Sequence, residues 1–419
     1  MMSIDRRTFL GTAGALALSG RLAGSAPASE RLRLAVIGVR GRGADLAREF
    51  AKRPDTEVVA LCDVDDASFT KIAPDVEKIA GKAPRIEKDF RKLLDDKGID
   101  AVVNATPDHW HALVAVMACQ AGKDVYTEKP ASHNVVEGRR MVEAARKYKR
   151  VVQMGVQRRS MPHVIEATKY VREGGIGKVG MARAWILQKR PAIGPGKPAE
   201  VPPGVDYAMW QGPAPDRPFM SNRFHYNWHW FWNWGTGELG NNGIHGLDVA
   251  RWGLGVDAPL TVCSGGGRFV FDDREVPDTQ VVTYEFPKAC LVWEHRLYDK
   301  HPMEGFGFGI AFYGDQGVLV VDEKGWKVDG GSNASGKATA GLEAHLANFV
   351  DCVKSRDLPN ADIEIGHLST RLCHLGNISH KVGRKLTFDA ATESFPGDAE
   401  ANALLSREYS SRFEMPSLV

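Results

Sequence analysis

From residue 31 to about residue 157 the chain alternates short apolar runs with amphipathic stretches, and this alternation constrains its architecture more than any other feature. The runs 32–38, 58–63, 101–106, 124–127 and 151–155 read as short buried strands. Between them, 44–53, 109–120 and 135–148 repeat apolar residues at the three- and four-residue spacing of a helix face. Alternating strand and helix implies a parallel, doubly wound α/β sheet, a Rossmann-type domain over 31–157.

After residue 157 the texture changes. A helix-like stretch at 164–172 precedes strand candidates at 181–187, 260–271, 279–286, 290–297, 306–313 and 318–321. The later ones follow one another through short turns, which predicts an α+β domain with a mostly antiparallel open-faced sheet over 158–385. Helical periodicity returns at 343–355 and 368–382, and 386–419 reads as a C-terminal extension. The proline- and glycine-rich stretch 191–205 reads as a surface loop. A chain of 419 residues is long for a single core, which agrees with two domains.

The first strand runs into a helix through Gly38-Val39-Arg40-Gly41-Arg42-Gly43. Glycines there allow a tight turn and a close approach to a pyrophosphate seated on the positive end of the helix. Arg40 stands where the usual G-x-G-x-x-G spacing has its second glycine, so the turn alone is a weak signal. Asp63 strengthens it, closing the second strand about twenty residues on, where a carboxylate binds a ribose diol. That acid points to NAD, since it would repel a 2′-phosphate; Arg40 and Arg42 leave NADP open.

Two further motifs resemble one family. Ala105-Thr106-Pro107-Asp108-His109-Trp110-His111 and Glu128-Lys129-Pro130 are similar to the signatures of the Gfo/Idh/MocA oxidoreductases, from about Arg31 to the C-terminus. The resemblance implies that Thr106, Pro107, His111 and Glu128 border the cofactor, that Lys129 faces the reacting carbon, and that subunits pair through the C-terminal sheet. The chemistry supports Lys129 independently: an ammonium can hydrogen-bond the oxygen of an alcohol becoming a carbonyl, or relay its proton. The family also carries an aspartate followed four residues later by a histidine. Here His245 matches the histidine, as proton acceptor, but Asn241 replaces the aspartate. An amide can orient a hydroxyl but cannot ionise to stabilise an imidazolium, which shifts weight to Lys129.

Just upstream, 225–234 contains four of the ten tryptophans, interleaved with histidine and asparagine. Aromatic faces pack against sugar C–H faces, so Trp230, Trp232 and His229 are read as substrate contacts, with Gln157, Arg158 and Lys189 as further lining candidates. The expected function is NAD-dependent oxidation of a hydroxyl on a sugar, glycoside or polyol, with tightly held cofactor. One alternative is a redox-neutral glycosidase or lyase, in which transient oxidation acidifies a neighbouring C–H and permits elimination; relatives of that kind tend to lack the motif lysine. The other is a catalytically silent sugar-binding protein, encouraged only by Asn241.

Residues 1–28 resemble a twin-arginine export signal: Arg6-Arg7 precede a weakly apolar run and the small-residue site Ala26-Pro27-Ala28, although Asp5 departs from the usual pattern. A periplasmic enzyme exported already folded is therefore expected. Its six scattered cysteines then read as buried thiols, with neither a disulfide framework nor zinc spacing. A net charge of +2 gives no reason to expect nucleic acid, and no stretch of the mature chain reads as a membrane span.

Overall fold

The computed structural model describes residues 31–330 and 334–417, so the stretch 1–28 expected to be an export signal lies outside the described residues. Six strands form the first sheet: β1 (Leu32–Ile37), β2 (Thr56–Cys62), β3 (Arg85–Glu87), β4 (Ala101–Asn104), β5 (Asp124–Thr127) and β6 (Val152–Met154). All pair in parallel, in the order β3-β2-β1-β4-β5-β6, as the alternation predicted. Crossover helices α1 (Arg42–Lys52), α2 (Phe69–Ala80), the single turn α3 (Arg91–Leu94), α4 (Asp108–Gln120) and α5 (Val135–Lys147) connect them. Every residue of β4, β5 and β6 is buried, which is why these strands read as mostly apolar rather than alternating.

After α6 (Pro162–Arg172), the second sheet begins with β7 (Val179–Leu187). The chain returns to the first domain through α7 (Tyr207–Gln211), then enters a π-helical turn, Leu239–Gly243, that continues as α8 (Ile244–Leu254). Next come β8 (Thr261–Gly267), β9 (Thr279–Glu285), β10 (Cys290–Arg296), β11 (Phe308–Gly314), β12 (Gly317–Val321), β13 (Gly325–Asp329) and β14 (Ser335–Lys337). With β15 (Leu386–Thr387) they order as β14-β13-β12-β11-β7-β10-β9-β8-β15, and only β7 and β10 pair in parallel. The predicted strand at 260–271 ends early, because Asp278 accepts the backbone N–H groups of Phe269, Val270 and Phe271 and curls them into a turn.

Helices α9 (Leu342–Ser355) and α10 (Ile363–Val382) bind the two domains together. Leu346, Phe349, Val350 and Val353 of α9 share a core with β1, although some 300 residues separate them. There Phe50, Tyr126 and Phe349 meet edge to face at 5.8–6.3 Å, each burial stabilising by about 2–3 kcal/mol. The final residues reach both domains: the Arg407 guanidinium donates to the Asn233 carbonyl (3.0 Å) of the second, and Phe413 packs edge-on against Trp110 (5.0 Å) of the first. All six cysteines are free thiols; Cys62, Cys119, Cys352 and Cys373 are buried as expected, whereas Cys290 is half-buried and Cys263 is exposed. No helix among the described residues is long and apolar enough to cross a membrane.

Candidate active site

A cavity of about 770 Å³ opens where β1, β2, β4 and β5 end, roofed by residues 224–229 and by the π turn with the start of α8. In a doubly wound sheet the carboxyl ends of the strands are where ligands bind. Gly38, Arg40, Gly41, Arg42 and Asp63 line one end, while Thr106, Pro107, Glu128 and Lys129 lie on the loops that follow β4 and β5.

The nucleotide end is built around α1. Gly41 caps that helix at φ +45°, and a side chain there would meet nothing within 4 Å, so the turn is open. Gly43 does a different job: a Cβ on it would lie 1.7 Å from the Gly38 carbonyl oxygen, so only glycine lets the helix pack this close. The Asp63 carboxylate accepts the N–H groups of Val39 (2.9 Å) and Asp65 (3.1 Å), which ties the end of β2 to the glycine turn. Burial raises its pKa even against those two bonds. Each carboxylate oxygen keeps a lone pair for a ribose hydroxyl. The open turn, helix start and carboxylate together fit a dinucleotide. Arg42 donates to Glu128 (2.8 Å), and although burial opposes it, that carboxylate holds the guanidinium above its ordinary pKa.

At the other end, the Lys129 ammonium donates to two oxygens of one residue, the backbone carbonyl (2.8 Å) and Oδ1 (3.0 Å) of Asn241. His245 lines the same space. Burial, then the charges of Lys129 and Arg158, push its pKa well below the ordinary histidine value, and its buried Nδ1 has no hydrogen-bond partner among the described residues. The imidazole is therefore neutral, the protonation state that a proton acceptor requires. Asn241 and His245 do meet at the cavity, but through a π turn rather than one regular helical face. Asp248 does not engage His245; it accepts from Arg159 and Ser369.

Sequence reasoning missed Glu238, whose side chain is fully buried behind the amide. It accepts from Arg190 (3.2 Å), Gln188 (3.2 Å) and Asn242, with the Asn241 Nδ2 at 3.5 Å. Glu238 thereby turns the Asn241 amide so that its oxygen faces Lys129. The signal was an acid three residues ahead of Asn241, indistinguishable in sequence from an ordinary helix-end charge.

Gln157 and His229 line the cavity as expected, and burial lowers the His229 pKa to about 3. Several other residues lie elsewhere. His111 sits behind the site, its ring nitrogens against the carbonyls of Pro130 (2.6 Å) and Thr106 (2.8 Å), so it ties the two loops instead of touching the cofactor cavity. Gly43 lies under the turn as described. Trp230 is buried with Trp210 and Trp234 in an aromatic core, and Trp232 packs against that core with the Lys381 ammonium 4.3 Å from its ring. Phe224, Tyr226 and Trp228 line the cavity in their place. Lys189 is exposed and lines neither cavity, while Arg158 faces a second, smaller one.

The stretch 191–205 is the expected surface loop, without helix or strand and mostly exposed, and it is anchored at its end. Val205 bridges to Asp65, Lys88 donates to the Gly204 carbonyl (2.9 Å), and His225 pairs with Asp65 (2.8 Å). The stretch 204–229 thus crosses the nucleotide end of the cavity.

With this geometry established, comparison assigns the class: the chain belongs to the Gfo/Idh/MocA oxidoreductase family. The family model described as an oxidoreductase-family, NAD-binding Rossmann fold matches residues 32–156, and its C-terminal alpha/beta domain model matches 191–290 and 333–415. Among curated relatives, a glycosyl hydrolase family 109 protein of Stenotrophomonas maltophilia is 38% identical over 137 residues, 30% of each chain. Levoglucosan dehydrogenase of Pseudarthrobacter phenanthrenivorans is 31% identical over 167 residues, 40% of this chain and 36% of that one. The matched stretches thus span about a third of these relatives' lengths. In fold, the chain resembles the aldose-aldose oxidoreductase of Caulobacter crescentus, with a TM-score of 0.66 at 21% identity over 85% of this chain and 100% of that one.

Proposed function

We propose that the protein is an NAD-dependent oxidoreductase that oxidises a hydroxyl of a sugar, glycoside or polyol. The observation that carries this reading is the Lys129–Asn241 contact, which fixes an ammonium beside a neutral His245 at the far end of a dinucleotide cavity. NAD, when bound, supplies the hydride acceptor. Gly41, Asp63 and Glu128 would hold it. His245 takes the hydroxyl proton, and Lys129 donates a hydrogen bond to the oxygen as negative charge builds on it. Asn241 holds the lysine, a task that does not require the charge of the family aspartate. Asp63 favours NAD over NADP.

We also infer that the cofactor is retained through the cycle. The strap at 204–229 covers the nucleotide end, and a folded-export signal implies loading inside the cell. The protein is then periplasmic, and bound NADH is reoxidised by a second substrate or by returning hydride to the first. The likeness to an aldose-aldose oxidoreductase agrees with the former route. The similarity to a family 109 glycosyl hydrolase supports the second reading, a redox-neutral glycosidase. We infer in addition a homo-oligomer through the outer face of the nine-stranded sheet, where Val281 is 41% exposed. Incubating the purified protein with sugars and matched aryl glycosides separates the readings. Keto-sugar or bound NADH supports the oxidoreductase, aglycone release without net reduction supports the glycosidase, and neither product overturns both.

A further inference from the structure

His245 is a wall shared by two cavities. Beyond it, away from the nucleotide end, lies a space of about 320 Å³ bounded by Arg158, Gln188, Asn242, Phe308 and Glu323. Arg158 and its neighbour Arg159 make an informative pair. Arg159 is buried and satisfied, its Nε donating to both oxygens of Asp248 (2.9 and 3.0 Å). The Arg158 side chain is only 12% exposed, yet its guanidinium makes no hydrogen bond among the described residues. It lies over the Phe308 ring at 4.4 Å, and its nearest carboxylate, Glu323, is 3.7 Å away on a side chain that is 79% exposed. A buried cation normally has partners that offset its desolvation. Burial here outweighs Glu323 and Asp322 and draws the Arg158 pKa below its ordinary value, as expected for a charge short of a counterion.

A guanidinium that lies over an aromatic ring and lines the cavity has N–H groups left to receive a carboxylate, which it can do through two parallel hydrogen bonds. One arginine beside an existing glutamate balances a single negative charge better than the double charge of a phosphate monoester. We propose that the substrate carries a carboxylate, which Arg158 holds in the second cavity while the hydroxyl to be oxidised stands between Lys129 and His245. The substrate class is then an acidic sugar or glycoside, a uronic acid derivative. This rests on the functional reading above for its second half only, since the anion subsite stands whether or not the hydroxyl is oxidised.

The test is calorimetric titration of the NAD-loaded protein with nitrophenyl glucuronide and galacturonide, the matching neutral glucoside and galactoside, and the corresponding sugar phosphates. Bound-NADH formation is followed in parallel. At least one uronide should bind about tenfold or more tightly than its neutral partner, and Arg158→Gln should bring that ratio close to one. Arg158→Lys, which keeps the charge but loses the fork, should retain only part of it. Glu323→Gln, which removes the competing carboxylate, should strengthen uronide binding and leave the neutral sugar alone. Equal affinity for acid and neutral sugars, a preference that survives in Arg158→Gln, tighter binding of the phosphates, or no binding of any uronide overturns the proposal. Oxidation of neutral sugars without acid preference would sink this inference and leave the functional reading intact; Arg158-dependent uronide binding without any oxidation would do the reverse.

Discussion

Lys129 donates to two oxygens of a single residue, so its ammonium is fixed in place before any substrate arrives. Its loss should therefore be felt in the chemical step. We expect Lys129→Ala to lower kcat by far more than tenfold with NAD still bound; a loss of under ~1.4 kcal/mol of transition-state stabilisation would remove the lysine from the mechanism. Glu238 acts at one remove, through Asn241. Glu238→Gln should lower kcat with little change in KM, and should destabilise the fold by roughly 3 kcal/mol because Arg190 keeps its charge without its buried partner. Unchanged kcat beside a lowered Tm would reduce Glu238 to a packing role. At the nucleotide end, Asp63→Ala should weaken NAD far more than NADP, and equal weakening measured by fluorescence titration would place the ribose elsewhere.

At the scale of elements, the strap and the glycine turn make separate demands. His225→Ala breaks the contact between strap and Asp65, so NAD should leave about tenfold faster in a stopped-flow chase while kcat with saturating NAD is preserved. An unchanged dissociation rate would show that the strap does not hold the cofactor. The same elements show what was legible in the sequence. The buried strands were readable because helices cover both faces of the first sheet, so that β4 through β6 are buried throughout and mostly apolar, with Asn104, Asp124, Thr127 and Gln153 as the buried polar exceptions. Edge strand β3 was not, since two of its three residues are exposed and it pairs on one side only. Helix α2 carries Pro74 and escaped the same reading. Lys129 and His245 meet because they lie next to the end of β5 and at the start of α8, and Asn241 joins them from the π turn that leads into α8. Aromatic identity alone could not tell Trp228, which faces the cavity, from Trp230, which fills a core two residues later. The π turn changes which side chains face inward, and no simple period encodes it.

Over the whole molecule, buried neutral histidines set the response to acid. Burial lowers the pKa of His109 and His374 to about 3 and of His295 and His345 to about 4, against an ordinary value near 6.5. Below that value the unfolded chain binds protons that these folded rings refuse, so stability falls as pH drops from about 6.5 towards 3–4. Each ring contributes up to about 2 kcal/mol of that loss at pH 5. Thermal unfolding should therefore show Tm constant above neutrality and falling steeply below pH 6; a flat profile down to pH 5 would mean the rings are not buried as described. The account as a whole turns on a retained nicotinamide that Lys129 and His245 serve. Its most direct test mixes the purified protein, with no cofactor added, against a panel of sugars, uronides and glycosides, and follows nicotinamide absorbance in a single turnover. We expect bound NADH to appear at close to one equivalent per chain in the wild type and not in Lys129→Ala. Absence of any nicotinamide in the denatured protein, or equal reduction in the two proteins, would contradict it.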